Sequence, residues 1–311
     1  MQCYSESKTW TEQFPDLLPK RNRLSENQVV EYYWNWNNNE VHVDHYRCEA
    51  SPVRIVMLHG VGGNGRLLSF IAAPLHRANL ELIALDLPGY GLTKINDKII
   101  TYNHWIEMGR DFLAKEQQDD PRPIILFGLS AGGMLAYQVA CLNKRVKGII
   151  VTTLLDQRLM EVRRYSAIYP WMAGVMGPFL KTASAIMPGV LIPMKKVANM
   201  KAIVNNKELL NLLINDPTSS GTKVSIAFIN TLLEAYPELE PEEFDICPML
   251  LAHPEKDLWT PVEISELFFN RLHKINKQLV ILENAGHFPI ESPGLQQLEE
   301  SIIRFIEKLN W

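Results

Sequence analysis

The sequence predicts an α/β fold in which a mostly parallel sheet is flanked by helices. Short apolar runs that fit buried strands alternate along the chain with segments of helical length. One interval, residues 156–245, is far longer than an ordinary connection between two strands. A chain of 311 residues that is 47% hydrophobic and 21% charged can bury one sizeable core and carry an inserted subdomain.

The first predicted element is a hairpin of two strands. Apolar side chains recur at every second position in residues 28–36, and three asparagines separate this run from a second alternating run over residues 41–46. The other predicted strands are continuous apolar runs, which are typical of strands buried on both faces. They are residues 53–58, 81–86, 123–127, 146–154, 247–252 and 278–282.

Residues 156–245 are predicted to form a helical cap inserted into the core. Residues 207–214 and 224–236 have helical patterns, and prolines and glycines interrupt much of the remainder. Residues 165–194 carry a single charge, Lys181. Six methionines add to the adaptable apolar character of the interval: Met160, Met172, Met176, Met187, Met194 and Met200.

We therefore expect three parts in the chain. Residues 1–155 would form the first part of the core, with an N-terminal arm over residues 1–27 to which the sequence assigns no role. Residues 156–245 would form the cap, and residues 246–311 the second part of the core. The uncharged run in the cap is too short and too interrupted to span a membrane. The cap is expected to pack on the core, and transient contact with a lipid surface is compatible with the same apolar face.

Composition and charge argue against several classes of partner. A net charge of -4, a pI near 6.1 and the lack of a basic cluster do not suit nucleic acid. The histidines and carboxylates lack the spacing of zinc sites, so neither a metal nor an organic cofactor is expected. The polar N-terminus lacks a signal-peptide core, and the cysteines are scattered, which predicts a reduced, cytoplasmic setting. They are Cys3, Cys48, Cys141 and Cys247.

The segment 128–132 (GLSAG) closes one predicted strand and opens a helix-forming run. A chain that turns sharply from strand to helix lifts one side chain out of the backbone, and flanking glycines avoid collisions with neighbouring strands. Ser130 is the predicted nucleophile at this turn. Because the five-residue pattern also fits a plain strand-to-helix turn, the assignment depends on the other motifs.

A glycine-rich loop, residues 59–65 (HGVGGNG), directly follows the predicted strand at 53–58. Acyl transfer needs backbone N–H groups aimed at the developing oxyanion, and we predict that Val61 and Ala131 supply them. His59 is expected to shape this loop. The alternative of a phosphate-binding loop is disfavoured, because neither a Walker motif nor a dinucleotide fingerprint is present.

The predicted general base is His287, in the loop after the last predicted strand. An imidazole base needs a carboxylate that orients it, and Asp257 follows the preceding predicted strand. Asp156 is the alternative acid, although a loop acid or helix cap would be its ordinary role. The chain order serine, aspartate, histidine favours Asp257.

With these motifs in place, residues 53–308 without the cap resemble the α/β-hydrolase superfamily. The similarity is to serine esterases and lipases of the monoacylglycerol lipase and lysophospholipase type. It is carried by the segment around Ser130, His59-Gly60, the turn at residues 86–91, Asp257, and Gly286-His287. Pro254 departs from the glycine more usual before the acid loop. The resemblance implies an eight-stranded sheet, antiparallel only at its start, with the cap after the sixth strand.

The predicted activity is that of a serine hydrolase that cleaves carboxylic esters with apolar acyl chains through an acyl-enzyme. The resemblance leaves a carbon–carbon bond hydrolase of the meta-cleavage type as an alternative, because it uses the same triad. A ligand-binding protein without catalysis is a third hypothesis. Dehalogenases and epoxide hydrolases carry aspartate as the nucleophile, so Ser130 disfavours both.

Overall fold

The computed structural model describes residues 2–25 and 28–309, apart from the side chains of Val175 and Met176. The expectations that concern Met1, Glu26 and Asn27 in the N-terminal arm, the Met176 side chain in the cap, and Asn310 and Trp311 in the second part of the core therefore lie outside the described residues.

The described residues form ten strands, eight of which make one central sheet. The strands are β1 (Val30–Trp36), β2 (Asn39–Tyr46), β3 (Arg54–Leu58), β4 (Glu81–Leu85), β5 (Ile124–Gly128), β6 (Val146–Val151), β7 (Leu191–Pro193), β8 (Lys223–Ser225), β9 (Met249–Pro254) and β10 (Lys277–Leu282). The order in the large sheet is β1-β2-β4-β3-β5-β6-β9-β10. The pairs β1–β2 and β2–β4 are antiparallel and the other pairs are parallel. This arrangement confirms the predicted fold class and the opening hairpin.

Helices pack on the sheet in two groups. They are α1 (Phe14–Asp16), α2 (Ser69–Arg77), α3 (Tyr102–Asp119), α4 (Ala131–Leu142), α5 (Met160–Ser166), α6 (Met172–Ile186), α7 (Lys207–Asn215), α8 (Ile226–Leu233), α9 (Val262–Phe269) and α10 (Gly294–Lys308). Helices α2 and α10 contact each other and the sheet, and α3 and α4 form a second such pair. Every residue of β3, β4, β5 and β9 is buried, which explains their continuous apolar sequences. None of the described helices combines the length and apolar composition needed to cross a lipid bilayer.

The segment between β6 and β9 contains α5 to α8, and it differs from the sequence prediction in two ways. Its strands β7 and β8 pair antiparallel, and β8 occupies the start of a stretch predicted as helix. Helix α6 continues through Gly174, Gly177 and Pro178, where breaks were expected. A proline inside a helix removes one backbone hydrogen bond, and for this reason the local sequence predicts a break at Pro178. Packing of α6 against α8 outweighs that loss, because tertiary contacts supply most helical stability.

A buried charged cluster lies where the opening hairpin meets the glycine-rich loop. Its members are Glu31, His42, Asp44, Arg66 and Asp86. The Arg66 guanidinium donates to both oxygens of Asp44, at 2.6 and 2.9 Å, and lies 3.1 Å from Glu31. Burial acts to lower the pKa of His42, but Asp86 and Glu31 raise it to about 10, so both cations remain charged at neutral pH.

The N-terminal arm covers this buried charged cluster and reaches the region of the predicted base. The Tyr4 hydroxyl donates to Asp86 at 2.9 Å, and the Tyr4 N–H donates to Glu31 at 2.6 Å. Phe14 is buried and packs against Phe288, with ring centroids 6.5 Å apart. The arm is thus part of the hydrophobic core, although its sequence gave no indication of a role.

Candidate active site

Ser130 lies at the tip of a sharp turn between β5 and α4. Its backbone has φ 56° and ψ -127°, a conformation that is strained for a residue with a side chain. A Cβ atom at Gly128 would lie 2.2 Å from the Gly132 carbonyl oxygen, and one at Gly132 would lie 2.2 Å from that of Leu58. Glycine is therefore required on both sides, which is the reason inferred from the sequence.

The structure brings Ser130, His287 and Asp257 into one hydrogen-bonded chain. The His287 Nε2 atom lies 2.7 Å from the Ser130 Oγ atom, and the His287 Nδ1 atom lies 2.7 Å from the Asp257 Oδ2 atom. A carboxylate only accepts hydrogen bonds, so it assigns the ring proton to Nδ1 and leaves Nε2 free to accept from the serine hydroxyl. This is the arrangement that nucleophilic catalysis by serine needs.

Asp257 is held by groups in its own loop. Its Oδ1 atom accepts from the backbone N–H groups of Trp259 and Thr260 at 2.8 and 2.9 Å, and its Oδ2 atom accepts from the Thr260 hydroxyl at 3.0 Å. Burial acts to raise the pKa of Asp257, but the adjacent His287 and the two backbone hydrogen bonds lower it. The carboxylate is therefore ionised at neutral pH and can steady a positive charge on His287.

Asp156, the alternative acid, has a different partner. Its carboxylate is buried and accepts from Arg158 Nε at 2.9 Å and from Arg158 Nη2 at 2.8 Å. The Nδ1 atom of His287 is occupied by Asp257. Asp156 therefore forms an ion pair in this structure and does not orient the histidine.

His59 holds the glycine-rich loop in place through two hydrogen bonds. The His59 Nε2 atom accepts from the Leu87 N–H at 3.0 Å, so its Nδ1–H donates to the Gly60 carbonyl at 2.8 Å. Burial lowers the pKa of His59 to about 4, which keeps the ring neutral. His59 thus braces the loop, and Asp86 adds a second brace by accepting from the Gly65 N–H at 2.6 Å.

The two predicted oxyanion donors, Val61 and Ala131, line the same cavity as Ser130. Among the described residues, neither the Val61 N–H nor the Ala131 N–H has a hydrogen-bond acceptor. Ala131 opens α4, where the first N–H groups are unpaired and the helix dipole favours negative charge. A Cβ atom at Gly60 would lie 2.7 Å from that of Ser130, so the loop approaches the serine closely.

Two supporting residues were missed by the sequence analysis. The Thr152 hydroxyl accepts from the Ser130 N–H at 3.0 Å and holds the strained turn in place. The Trp259 ring packs on the His287 ring, with centroids 4.9 Å apart. A threonine after a strand and a tryptophan in a loop are common, so neither carried a distinguishing signal.

An apolar cavity opens beside Ser130 and contains about 960 Å³ of space not filled by protein atoms, part of it continuous with solvent. The core and the segment between β6 and β9 both contribute its walls. Representative lining side chains are Met134, Leu155, Met194, Val197, Ile229 and Leu232. In the part of the chain that the structure describes, Asp156 and Arg163 are the two charged side chains that line it.

The chain is similar in sequence to a known family and to two curated proteins. Residues 51–291 match the model of a family described as serine aminopeptidase, S33. Protein phosphatase methylesterase 1 of Mus musculus is 33% identical over 131 residues, and that of Bos taurus is 32% identical over the same length. Each match covers 40% of this chain, and the chain spans only 32% of the length of these relatives.

Solved structures share the fold over most of the chain. A monoglyceride lipase of Saccharomyces cerevisiae superimposes with a TM-score of 0.74 at 16% identity, covering 93% of this chain and 98% of that one. A monoacylglycerol lipase of Paleococcus ferrophilus gives 0.66 at 18% identity, with 86% and 98% covered. A carboxyl esterase of Bacillus coagulans gives 0.66 at 17% identity, with 91% and 98% covered. At these identities the likeness concerns the fold.

Proposed function

The chain belongs to the α/β-hydrolase family described as serine aminopeptidase, S33, and we propose that it is a serine hydrolase of carboxylic esters with apolar acyl chains. The observation that carries this proposal is the pair of 2.7 Å contacts that join Ser130, His287 and Asp257. This chain of groups lies at the wall of an apolar cavity. A cytoplasmic location stays a prediction.

The proposed mechanism begins with attack of the Ser130 Oγ atom on the ester carbonyl while His287 Nε2 takes the hydroxyl proton. The N–H groups of Val61 and Ala131 stabilise the tetrahedral oxyanion. His287 then gives its proton to the departing alkoxide, which leaves an acyl group on Ser130. Water, activated by His287, attacks the acyl-enzyme and releases the carboxylic acid.

The charges at the cavity favour an ester over an N-terminal peptide. An aminopeptidase must hold a free ammonium group, and an unpaired carboxylate is the side chain suited to that task. The one carboxylate that lines the cavity, Asp156, is already paired with Arg158. The names of the methylesterase relatives and of the lipase and esterase structures agree with ester cleavage.

We also propose that residues 156–245 form a cap that covers the acyl chain. Both parts of the chain line the cavity. Met134 comes from the core, and Met194, Val197, Ile229 and Leu232 come from this segment. An apolar wall with flexible methionine suits chains of more than one length.

Fluorophosphonate labelling tests the proposed nucleophile, because these probes react with an activated serine. We expect a single adduct, located at Ser130 by peptide mass analysis, together with hydrolysis of 4-nitrophenyl esters that improves as the acyl chain lengthens from acetate. Prior heat denaturation is the control and should abolish labelling. Absence of both the adduct and ester hydrolysis would contradict the proposal.

We further propose that α6 and the turn after it touch a lipid surface that holds the substrate. Large apolar side chains are exposed in α6 and beside it: Phe179, at 68%, and Ile186 lie in the helix, Trp171, at 72%, directly precedes it, and Met187 and Leu191 follow it. Lys181 is the single charged residue in α6. Aromatic and aliphatic side chains in such a face gain free energy by entering the headgroup region.

Vesicle flotation tests this contact. The double change Trp171→Ser and Phe179→Ser is expected to lower binding to phosphatidylcholine vesicles by about tenfold or more, because two large apolar groups no longer leave water. Val30→Ser, at another exposed apolar position, is the matched control and should bind as the parent does. Equal flotation of the parent and the double variant would exclude α6 as the contact.

A further inference from the structure

We propose that Arg163 forms an anion subsite at the distal end of the apolar cavity, so that the preferred substrates are monoesters of dicarboxylic acids. The acyl chain would lie along the apolar walls, with its ester carbonyl at Ser130 and its free carboxylate at Arg163. This inference rests on the proposed ester hydrolase function and specifies its substrate class.

The first support is the balance of charge at the cavity. Its two charged lining residues are Asp156 and Arg163. Asp156 is neutralised by Arg158, which also donates through Nη2 to Glu240 at 2.9 Å. Arg163 has no carboxylate within ion-pairing distance in the part of the chain that the structure describes. Of the two charges at the cavity wall, that of Arg163 is therefore the one without an ion-pair partner.

The second support is that this guanidinium is already held in place. Its Nε atom donates to the Gln157 carbonyl at 2.5 Å, and its Nη2 atom donates to the Leu233 carbonyl at 2.8 Å. Both acceptors are neutral, so the full charge remains available. The Nη1 atom makes no hydrogen bond within the described residues. An anchored side chain loses little conformational entropy when it binds an anion.

The third support is the position of Arg163 relative to the nucleophile. The cavity shares Val61 and Ser130 with a small pocket that contains His287. It shares a different pair, Arg163 and Leu233, with a cleft that is open to solvent. Ser130 and Arg163 therefore lie at parts of the cavity that border different neighbouring pockets.

The solvent-open cleft is itself basic. Arg163 and Lys181 line it against one carboxylate, that of Glu234, while its third cation, Arg158, is already paired with Asp156 and Glu240. A carboxylate at this end of the cavity keeps partial contact with water, so it avoids most of the desolvation cost of a buried ion. A substrate carboxylate placed near Ser130 instead would not keep this contact with water.

Gln157 adds an adaptable polar group at the same end. Its Nε2 atom donates to the Ser166 hydroxyl at 2.9 Å, while its buried Oε1 atom has no partner among the described residues. Because a hydroxyl both donates and accepts, the amide can turn over and keep its contact with Ser166. Its NH2 group would then replace the unpaired Oε1 atom and act as a second donor to an anion.

Matched esters test the subsite. Monoesters of 4-nitrophenol with hexanedioic, octanedioic and decanedioic acids are compared with neutral esters of equal chain length. At one or more lengths we expect kcat/KM for the acid-terminated ester to exceed that of its neutral counterpart by about 10- to 100-fold, the range of a charge-assisted hydrogen bond. Parent enzyme that prefers the neutral ester at every length would overturn the inference.

Variants then assign the preference to one residue. In Arg163→Gln, which keeps hydrogen-bonding groups without the charge, and in Arg163→Met, the ratio of the two kcat/KM values should fall to about one. Arg163→Lys should retain part of the preference. Lys181→Met is the matched control, because Lys181 lines the open cleft but not the cavity, and its ratio should stay near that of the parent. Equal losses in the Arg163 and Lys181 variants would assign the effect to the general field of the cleft and overturn the subsite.

The two proposals fail in different ways. Hydrolysis of neutral esters without any preference for the acid-terminated ones leaves the proposed function standing and removes the subsite. If no ester were hydrolysed, calorimetric binding of octanedioic acid monomethyl ester to the parent and to Arg163→Met would still decide the subsite. Equal affinities in that measurement would overturn it.

Discussion

Replacement of Ser130 by alanine is expected to lower kcat for ester hydrolysis by about 10⁴- to 10⁶-fold, with little change in thermal stability. The change removes the atom that is proposed to attack the carbonyl, and no other hydroxyl lies within hydrogen-bonding distance of His287 Nε2 in the described residues. The measurement is steady-state turnover of a 4-nitrophenyl ester, with residual rates compared against buffer.

The same experiment shows whether the three side chains act as a unit. His287→Asn should cost nearly as much as Ser130→Ala, and the double variant should be no worse than either, because each single change already stops the covalent step. Ser301→Ala provides a control for the loss of a buried hydroxyl on α10, away from the site, and should keep parental turnover. Parental turnover by Ser130→Ala would show that another group is the nucleophile.

Replacement of Arg66 by methionine is expected to lower the free energy of unfolding by about 3–5 kcal/mol, the largest stability change we anticipate. Arg66 is 3% exposed and makes two hydrogen bonds with the fully buried carboxylate of Asp44. Without Arg66 that carboxylate is buried and unpaired, and Glu31 loses one of its two cationic neighbours. Urea unfolding at pH 7 gives the change directly.

Two comparisons separate this effect from a general loss of a salt bridge. Arg271→Met removes ion pairs with Glu242 and Glu240 at the surface and should change the free energy of unfolding far less than Arg66→Met does. The double change Arg66→Met and Asp44→Leu removes both partners and should recover part of the loss, because no charge is left unpaired at position 44. An Arg66→Met protein as stable as the parent would mean that water reaches the buried charged cluster.

The sequence predicted those features that depend on neighbouring residues along the chain. Continuous apolar runs located β3, β4, β5 and β9 within two residues at each end, because strands buried on both faces leave no polar positions. The alternating pattern located the first hairpin, because the side chains of a strand point to opposite faces in turn. The glycines around Ser130 predicted a sharp turn, since they mark a backbone that a Cβ atom would obstruct.

Predictions from local sequence patterns were wrong or absent where contacts between distant segments determine the structure. Helix α6 continues through Pro178 because α8 packs against it, and the pairing of β7 with β8 joins residues 30 to 34 positions apart. The arm at the N-terminus carried no motif, yet Tyr4 bonds with Asp86 far along the chain. Such contacts follow from packing and leave no periodic signal in sequence.

Motif and chain order were enough to name Ser130, His287 and Asp257 as candidates and to assign the chain to its fold class. Only the tertiary structure decided which acid faces the histidine, since Asp156 is taken by Arg158, and which charge at the cavity remains unpaired, namely Arg163. The physical reason is that turn geometry and apolar periodicity act over a few residues. Ion pairing and the shape of a cavity depend instead on which segments the folded chain brings within a few ångströms of each other.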